Sequence, residues 1–253
     1  MDDRRRGVSG SSSCLSRIVT AHAIVAAGLS VAHSLRVRGV RRTLLFAVLG
    51  SAIPILGELL AVNVLKVLRH HVRPQAGGVP LAIALGWYNV GYGTLAVIEG
   101  ITHDTDPHKN GRSRASAPAV ALAATSLDLL LDPFGLDLGL WEWNDGGPYA
   151  SEVKGPNDKR GIPLVNFAGW ISLTASVTLA YQRLETGRDA ANAPHPRNAG
   201  GPGAGRGAAL LLLSYHLPAA AWALKQRRPK YLVYSAPFAV ALWATLKGRS
   251  QGP

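Results

Sequence analysis

Asp128 and Asp132 stand four residues apart near the end of an otherwise apolar run, SLDLLLDP. On a helix that spacing puts them on one face. Two carboxyl groups so close in a dry setting do not both ionise easily, which suits the pair to general-acid chemistry. Pro133 disfavours helical geometry at the residue before it, so the helix is expected to end at Asp132. The pair would then sit at a helix C-terminus, where the macrodipole opposes negative charge. The plainer alternative is that both acids mark a membrane–water boundary, with Asp132 capping the turn at Pro133. Glu58 is the only acid in the apolar stretch 44–68, with Asn63 five residues on. An acid at mid-span costs about 2.5–3.5 kcal/mol to insert, so it has to face a cavity or a partner, or hydrogen-bond another helix.

Other residues of chemical interest surround these three acids. Trp87, Tyr88, Tyr92, Trp141, Trp143, Tyr149 and Trp170 lie mostly near the ends of apolar runs. They are split between an interfacial aromatic belt and a pocket wall whose ring faces could stabilise a cation. Asn89 and Asn166, each beside aromatics, are candidate amides for orienting water or substrate. The run RHHVRPQ reads first as a basic loop at lipid headgroups. Its sharper reading is an anion site built from Arg69, His70, His71 and Arg73. His103, Asp104, Asp106 and His108 are of metal-ligand type, but without further ligands in a defined geometry no metal site is expected.

These residues are carried by seven apolar segments, at 18–35, 44–68, 79–101, 115–140, 162–184, 208–224 and 231–246. Most approach the roughly 20 residues that a bilayer core asks of a helix. Backbone groups in lipid must be satisfied within the segment, so helices are the expected form. The fold expected is therefore all-α, a polytopic membrane helix bundle of about seven transmembrane helices. Residues 1–17 read as a disordered basic tail, 18–247 as one integral membrane domain, and 248–253 as a C-terminal tail. Within that domain 185–207 is a flexible Gly/Pro/Ala-rich linker, whereas 141–161, mixing aromatics, acids and prolines, suggests an ordered loop.

The formal net charge of +12 is spread over every loop, so attraction to anionic lipid explains it better than a nucleic-acid footprint. Lys and Arg divide almost evenly between alternate sides of such a bundle, which leaves orientation open. The single cysteine, Cys14, rules out an internal disulfide and a cysteine zinc site.

Five pieces together carry a family resemblance: GELLAVNVL around Glu58, GGVPLAIALGWYNVGY (77–92), DLLLDP (128–133), LWEW (140–143) and GIPLVNFAGW (161–170). In combination they resemble the membrane carotenoid-biosynthesis hydratases, the family of bisanhydrobacterioruberin hydratase and gamma-carotene 1′,2′-hydratase. The likeness runs over about 57–170. This chain departs from the common pattern in NVLKVLRHHVRPQAGG after the glutamate helix and in a longer 142–159 insert.

The resemblance implies hydration of a terminal isoprenoid double bond of an acyclic carotenoid to a tertiary alcohol, with no cofactor and no metal, in the cell membrane. It implies Asp128 or Asp132 as the acid, with the other or Glu58 orienting water. Trp87, Tyr88, Asn89, Trp141, Trp143, Asn166 and Trp170 would bind substrate. Membrane lipid and other enzymes of carotenoid biosynthesis would be partners. Two alternatives stay open: a Mg²⁺-dependent membrane prenyltransferase using D-x-x-x-D, and a non-enzymatic carotenoid-binding subunit.

Overall fold

A computed structural model describes residues 3–105, 115–189 and 202–247. Its helices are α1 (Asp3–Leu59), α2 (Leu81–Thr105), α3 (Ala117–Asp137), α4 (Leu164–Asp189), α5 (Pro202–Lys225), α6 (Lys230–Tyr234) and α7 (Ala236–Lys247). A π-helical turn, Leu60–Val64, extends α1. Short strands fill the loops: β1 (Leu68–His70), β2 (Gln75–Ala76), β3 (Val79–Pro80), β4 (Trp141–Trp143), β5 (Tyr149–Lys154) and β6 (Arg160–Ile162). They pair as three antiparallel two-stranded ribbons, β1 with β4, β2 with β3 and β5 with β6. The expected all-α bundle is present, and 141–161 is ordered as strands.

Among the described residues, five helices, α1 to α5, are long and apolar enough to cross a membrane. The segments 18–35 and 44–68 are the two limbs of α1. They meet at Gly39, whose φ of 78° is open to glycine and costly for other residues. The limbs double back there, because Ser34 Oγ lies 2.9 Å from Thr43 Oγ1. Along a straight helix those residues would be about 13 Å apart. Arg38 clamps this turn to the bundle by pairing with Glu99 of α2 at 2.5 Å and facing the rings of Tyr92 and Tyr181. The last expected segment, 231–246, is instead two short helices, α6 and α7. The region expected to be a linker is helical at both ends, to Asp189 and from Pro202, and 190–201 lies outside the described residues. Residues 248–253 and the side chains of His103, Asp104, Asp106 and His108 also lie outside them.

α3 is the central helix, with 72% of its apolar window buried against 28% for α4 and 17% for α1. Leu127 and Leu130 of α3 are fully covered, whereas Val48, Leu56, Val165 and Leu210 on the outer helices are exposed. That inside-out gradient is what a bundle dissolved in lipid requires, since its outer face needs no polar shell. Helices α2 and α5 approach closely through Gly93 and Gly100. A methyl group at Gly93 would meet Leu212 at 2.7 Å.

Pro133 does not end α3. The helix continues through it to Asp137. Proline has no N–H for the carbonyl four residues back, which here is that of Leu129. That carbonyl instead accepts the hydroxyl of Tyr149 on β5, at 2.5 Å. The ribbon after α3 thus replaces the hydrogen bond that proline removes, and the Asp pair sits inside the helix rather than at its end.

The same ribbon is tied to α6 through Glu152, which accepts hydrogen bonds from Lys230 and Tyr231. Partial burial alone would push the Glu152 carboxyl up, but these two bonds outweigh it and bring its pKa from 4.5 down to about 2.

Two expectations follow for thermal unfolding in detergent. Tyr149→Phe strips the Leu129 carbonyl of its donor and should cost about 1–3 kcal/mol. For Glu152 the folded-state pKa lies below the unfolded one, so its stabilisation is present above pH 4.5 and fades as pH falls towards 2. Glu152→Gln should therefore melt below wild type at neutral pH and converge with it in acid.

Candidate active site

One turn apart on α3, Asp128 and Asp132 face the same way, and both are buried. Asn166, in the first turn of α4, gives its amide nitrogen to both, at 2.9 Å to Asp128 Oδ2 and 2.7 Å to Asp132 Oδ2. Strand β4 supplies the rest. Alternate strand residues share a face, so Trp141 and Trp143 both turn towards α3. Their indole N–H groups reach Asp132 Oδ1 at 2.5 and 3.4 Å. Trp141 lies flat on α3 because Gly135 has no side chain; a Cβ there would sit 2.1 Å from the indole ring.

Between the two tryptophans, Glu142 points to the other face of β4. It is 1% exposed and accepts from Asn157, with its side-chain nitrogen at 2.6 Å and its backbone N–H at 3.2 Å. The β1–β4 register sorts the basic run in the same way. Arg69 stands opposite Glu142, and His70 opposite Trp141. Arg69 and His71 approach Glu142 at 3.8 and 3.4 Å. His70 turns inward to Glu58 at 2.9 Å. Arg73 enters through its backbone, its carbonyl accepting from Ser16 and Thr20. The four basic residues do not converge on one anion site.

Glu58 also accepts the Trp87 indole N–H at 2.9 Å. Each oxygen of Glu58 therefore has a polar partner, Trp87 on one and His70 on the other, and both oxygens of Asp132 accept N–H donors. Asp128 accepts from Asn166 on Oδ2, and no donor among the described residues reaches its Oδ1.

All three acids line a single cavity of about 380 Å³, most of whose wall is apolar. Trp87, Trp141, Trp143, Asn166 and Trp170 share that wall with His70. Trp87 and Trp170 stack with ring centres 3.8 Å apart.

Tyr88 and Asn89 are not on the wall. Consecutive helical residues point about 100° apart, so the turn that aims Trp87 inward carries Tyr88 to the core around Phe46 and Tyr92. Asn89 instead donates to the Tyr215 hydroxyl at 2.7 Å. Asn63, near Glu58 in sequence, donates to the carbonyls of Leu59 and Gly77.

Three wall residues carry no motif in the sequence: His22 of α1, and Ser214 and Tyr215 of α5. The signal that could have found them is polar side chains inside apolar spans. Chemically, the cavity offers carboxyl groups, indole faces and amide N–H donors in a dry setting. Among the described residues, no group of three His, Cys, Asp or Glu is placed to hold a metal ion.

Gly135→Ala should drive Trp141 off α3 and cost about 1–3 kcal/mol, the usual penalty for overpacking. Gly28→Ala, where nothing lies within 4 Å of the added carbon, is the control and should not destabilise. Melting temperatures of the two variants in detergent check this.

The model of a family described as "Carotenoid biosynthesis protein" matches residues 17–199, well over half of the chain. Among curated proteins nothing matches. No solved structure matches either. The matched region holds Glu58, Asp128, Asp132 and every tryptophan of the cavity wall. The chain belongs to this family of carotenoid biosynthesis proteins.

Proposed function

We propose that the protein is a carotenoid hydratase, a multi-pass protein of the cell membrane that adds water across the terminal isoprenoid double bond of an acyclic carotenoid. The observation that carries this reading is the convergence of Glu58, Asp128 and Asp132 on one apolar, tryptophan-lined cavity.

Hydration of a trisubstituted alkene needs a proton donor, stabilisation of a tertiary cation and a base for water. Hydrogen-bond accounting divides these roles. Asp132 accepts N–H donors on both oxygens, and Glu58 accepts the Trp87 indole N–H and pairs with His70; in this scheme both act as carboxylates. Asp128 has an oxygen without a donor, Oδ1, where a proton can sit. Asp128 gives that proton to the less substituted alkene carbon, and the π electrons form the new C–H bond. The tertiary cation left behind is stabilised by the faces of Trp87, Trp141, Trp143 and Trp170 and by the charge on Asp132. Water adds to the cation and loses a proton to Asp132 or Glu58. Return of that proton to Asp128 completes the cycle. The alcohol gains the elements of one water, and nothing is oxidised or reduced.

A prenyltransferase would instead need the Asp pair to hold Mg²⁺ against a diphosphate. The groups aimed at Asp132 are N–H donors, which suit a bare carboxylate, and the basic run does not gather into a diphosphate cradle.

The test is expression in a host that accumulates an acyclic forty- or fifty-carbon carotenoid, with pigments read by liquid chromatography and mass spectrometry. Wild type should add one water per modified end, indifferent to chelator. Asp128→Asn should lower the rate about 10²–10⁴-fold, the usual worth of a general acid. Asp132→Asn and Glu58→Gln should also lower it. A heavier isoprenoid adduct that needs Mg²⁺ would mean a transferase. Bound but unchanged pigment would mean a binding subunit.

A further inference from the structure

The cavity has an end that the chemistry does not use. Asp128 and Asp132 are 5% and 2% exposed, whereas four wall residues at the other end reach the surface: Ile18, Leu138, Ser214 and Pro218. They come from the first limb of α1, the end of α3 and the middle of α5. Ser214 stands halfway along the apolar span 205–225 of α5, so that edge of the opening lies at mid-span, while Leu138 directly follows α3. The surface around it is apolar: Ile18 is 61% exposed and Leu217 57%.

Size decides what such an opening is for. About 380 Å³ is near the lower limit of sites for drug-sized ligands, roughly 300–1,000 Å³. A rigid polyene of forty or more carbons does not fit inside, and only its end group does. The rest has to leave through the opening.

One polar contact crosses it. His22 Nε2 lies 3.0 Å from Ser214 Oγ, and the His22 ring packs edge-on to Tyr215 at 4.7 Å. The Ser214 hydroxyl also lies 2.7 Å from the Leu211 carbonyl, so it is held between the α5 backbone and His22. Pro218 removes the helical hydrogen bond to the Ser214 carbonyl, which makes α5 easiest to deform beside this contact.

Resting on the hydratase reading, we infer that the polyene reaches the acids sideways from the lipid, between the first limb of α1 and the middle of α5. The His22–Ser214 hydrogen bond is the contact the chain must pass. The occupant of the opening is the apolar polyene itself, continuous with the end group in the cavity.

The experiment compares two substrates with the same trisubstituted end, a forty-carbon acyclic polyene and a ten-carbon isoprenoid alkene, on wild type, Ile18→Trp and Ser214→Trp. Filling the mouth should lower the ratio of long-chain to short-chain turnover by at least about tenfold, a modest steric penalty. Leu179→Trp, on the exposed face of α4 and off the cavity wall, should keep the wild-type ratio. An unchanged ratio in both mouth variants, whether the two activities persist or fall together, overturns the inference. If wild type hydrates neither substrate, the hydratase reading fails on its own. The opening is then read from polyene that co-purifies with the protein. Ser214→Trp should reduce that pigment relative to Leu179→Trp, and equal pigment overturns the inference.

Discussion

Two carboxyl groups on one face of the most buried helix are the constraint that the rest of the structure answers. A carboxyl group in a dry bundle is costly unless donors reach it, and here they come from two elements. Asn166 of α4 divides one amide nitrogen between Asp128 and Asp132. Trp141 and Trp143 of β4 cover Asp132 from outside the bundle. For these groups to arrive, α4 has to begin beside the pair, β4 has to pair with β1 in its observed register, and Gly135 has to stay bare. The result is uneven, with Asp132 supplied on both oxygens and Asp128 on one, and the proposed division of roles rests on that difference.

Much of this was legible in the sequence, for physical reasons. Apolar spans announce themselves because lipid imposes length and composition. Acids within such spans stand out because they are expensive there, and Glu58, Asp128 and Asp132 do meet at one cavity. The break between the first two spans was visible too, and Gly39 is its hinge. What was hidden depended on partners distant in the chain. Pro133 should end a helix by local rules, and it does not because Tyr149, twenty residues away, supplies the Leu129 carbonyl with a donor. The basic run looked like one cluster, but strand alternation sends His70 inward and Arg69 towards Glu142. Tyr88 and Asn89 shared a motif with Trp87 yet lie on another side of the same helix. His22 and Ser214, 192 residues apart, form a pair that only the packing of α1 on α5 creates.

The cavity also relates the fold to its surroundings. Its acids lie at the bundle centre, and four of its wall residues are exposed at the surface. If the inferred lateral entry holds, the same apolar exterior that suits the helices to a bilayer presents the site to molecules dissolved there. Chemistry that needs a protected acid and an insoluble substrate is served by one arrangement.

The most direct test of the hydratase reading follows the atoms of water. Membranes holding the protein would be given an acyclic carotenoid in deuterium oxide enriched in oxygen-18. The reading predicts one oxygen-18 in each new tertiary hydroxyl and one carbon-bound deuterium beside it. Unchanged pigment, or a product whose oxygen does not come from water, would contradict it.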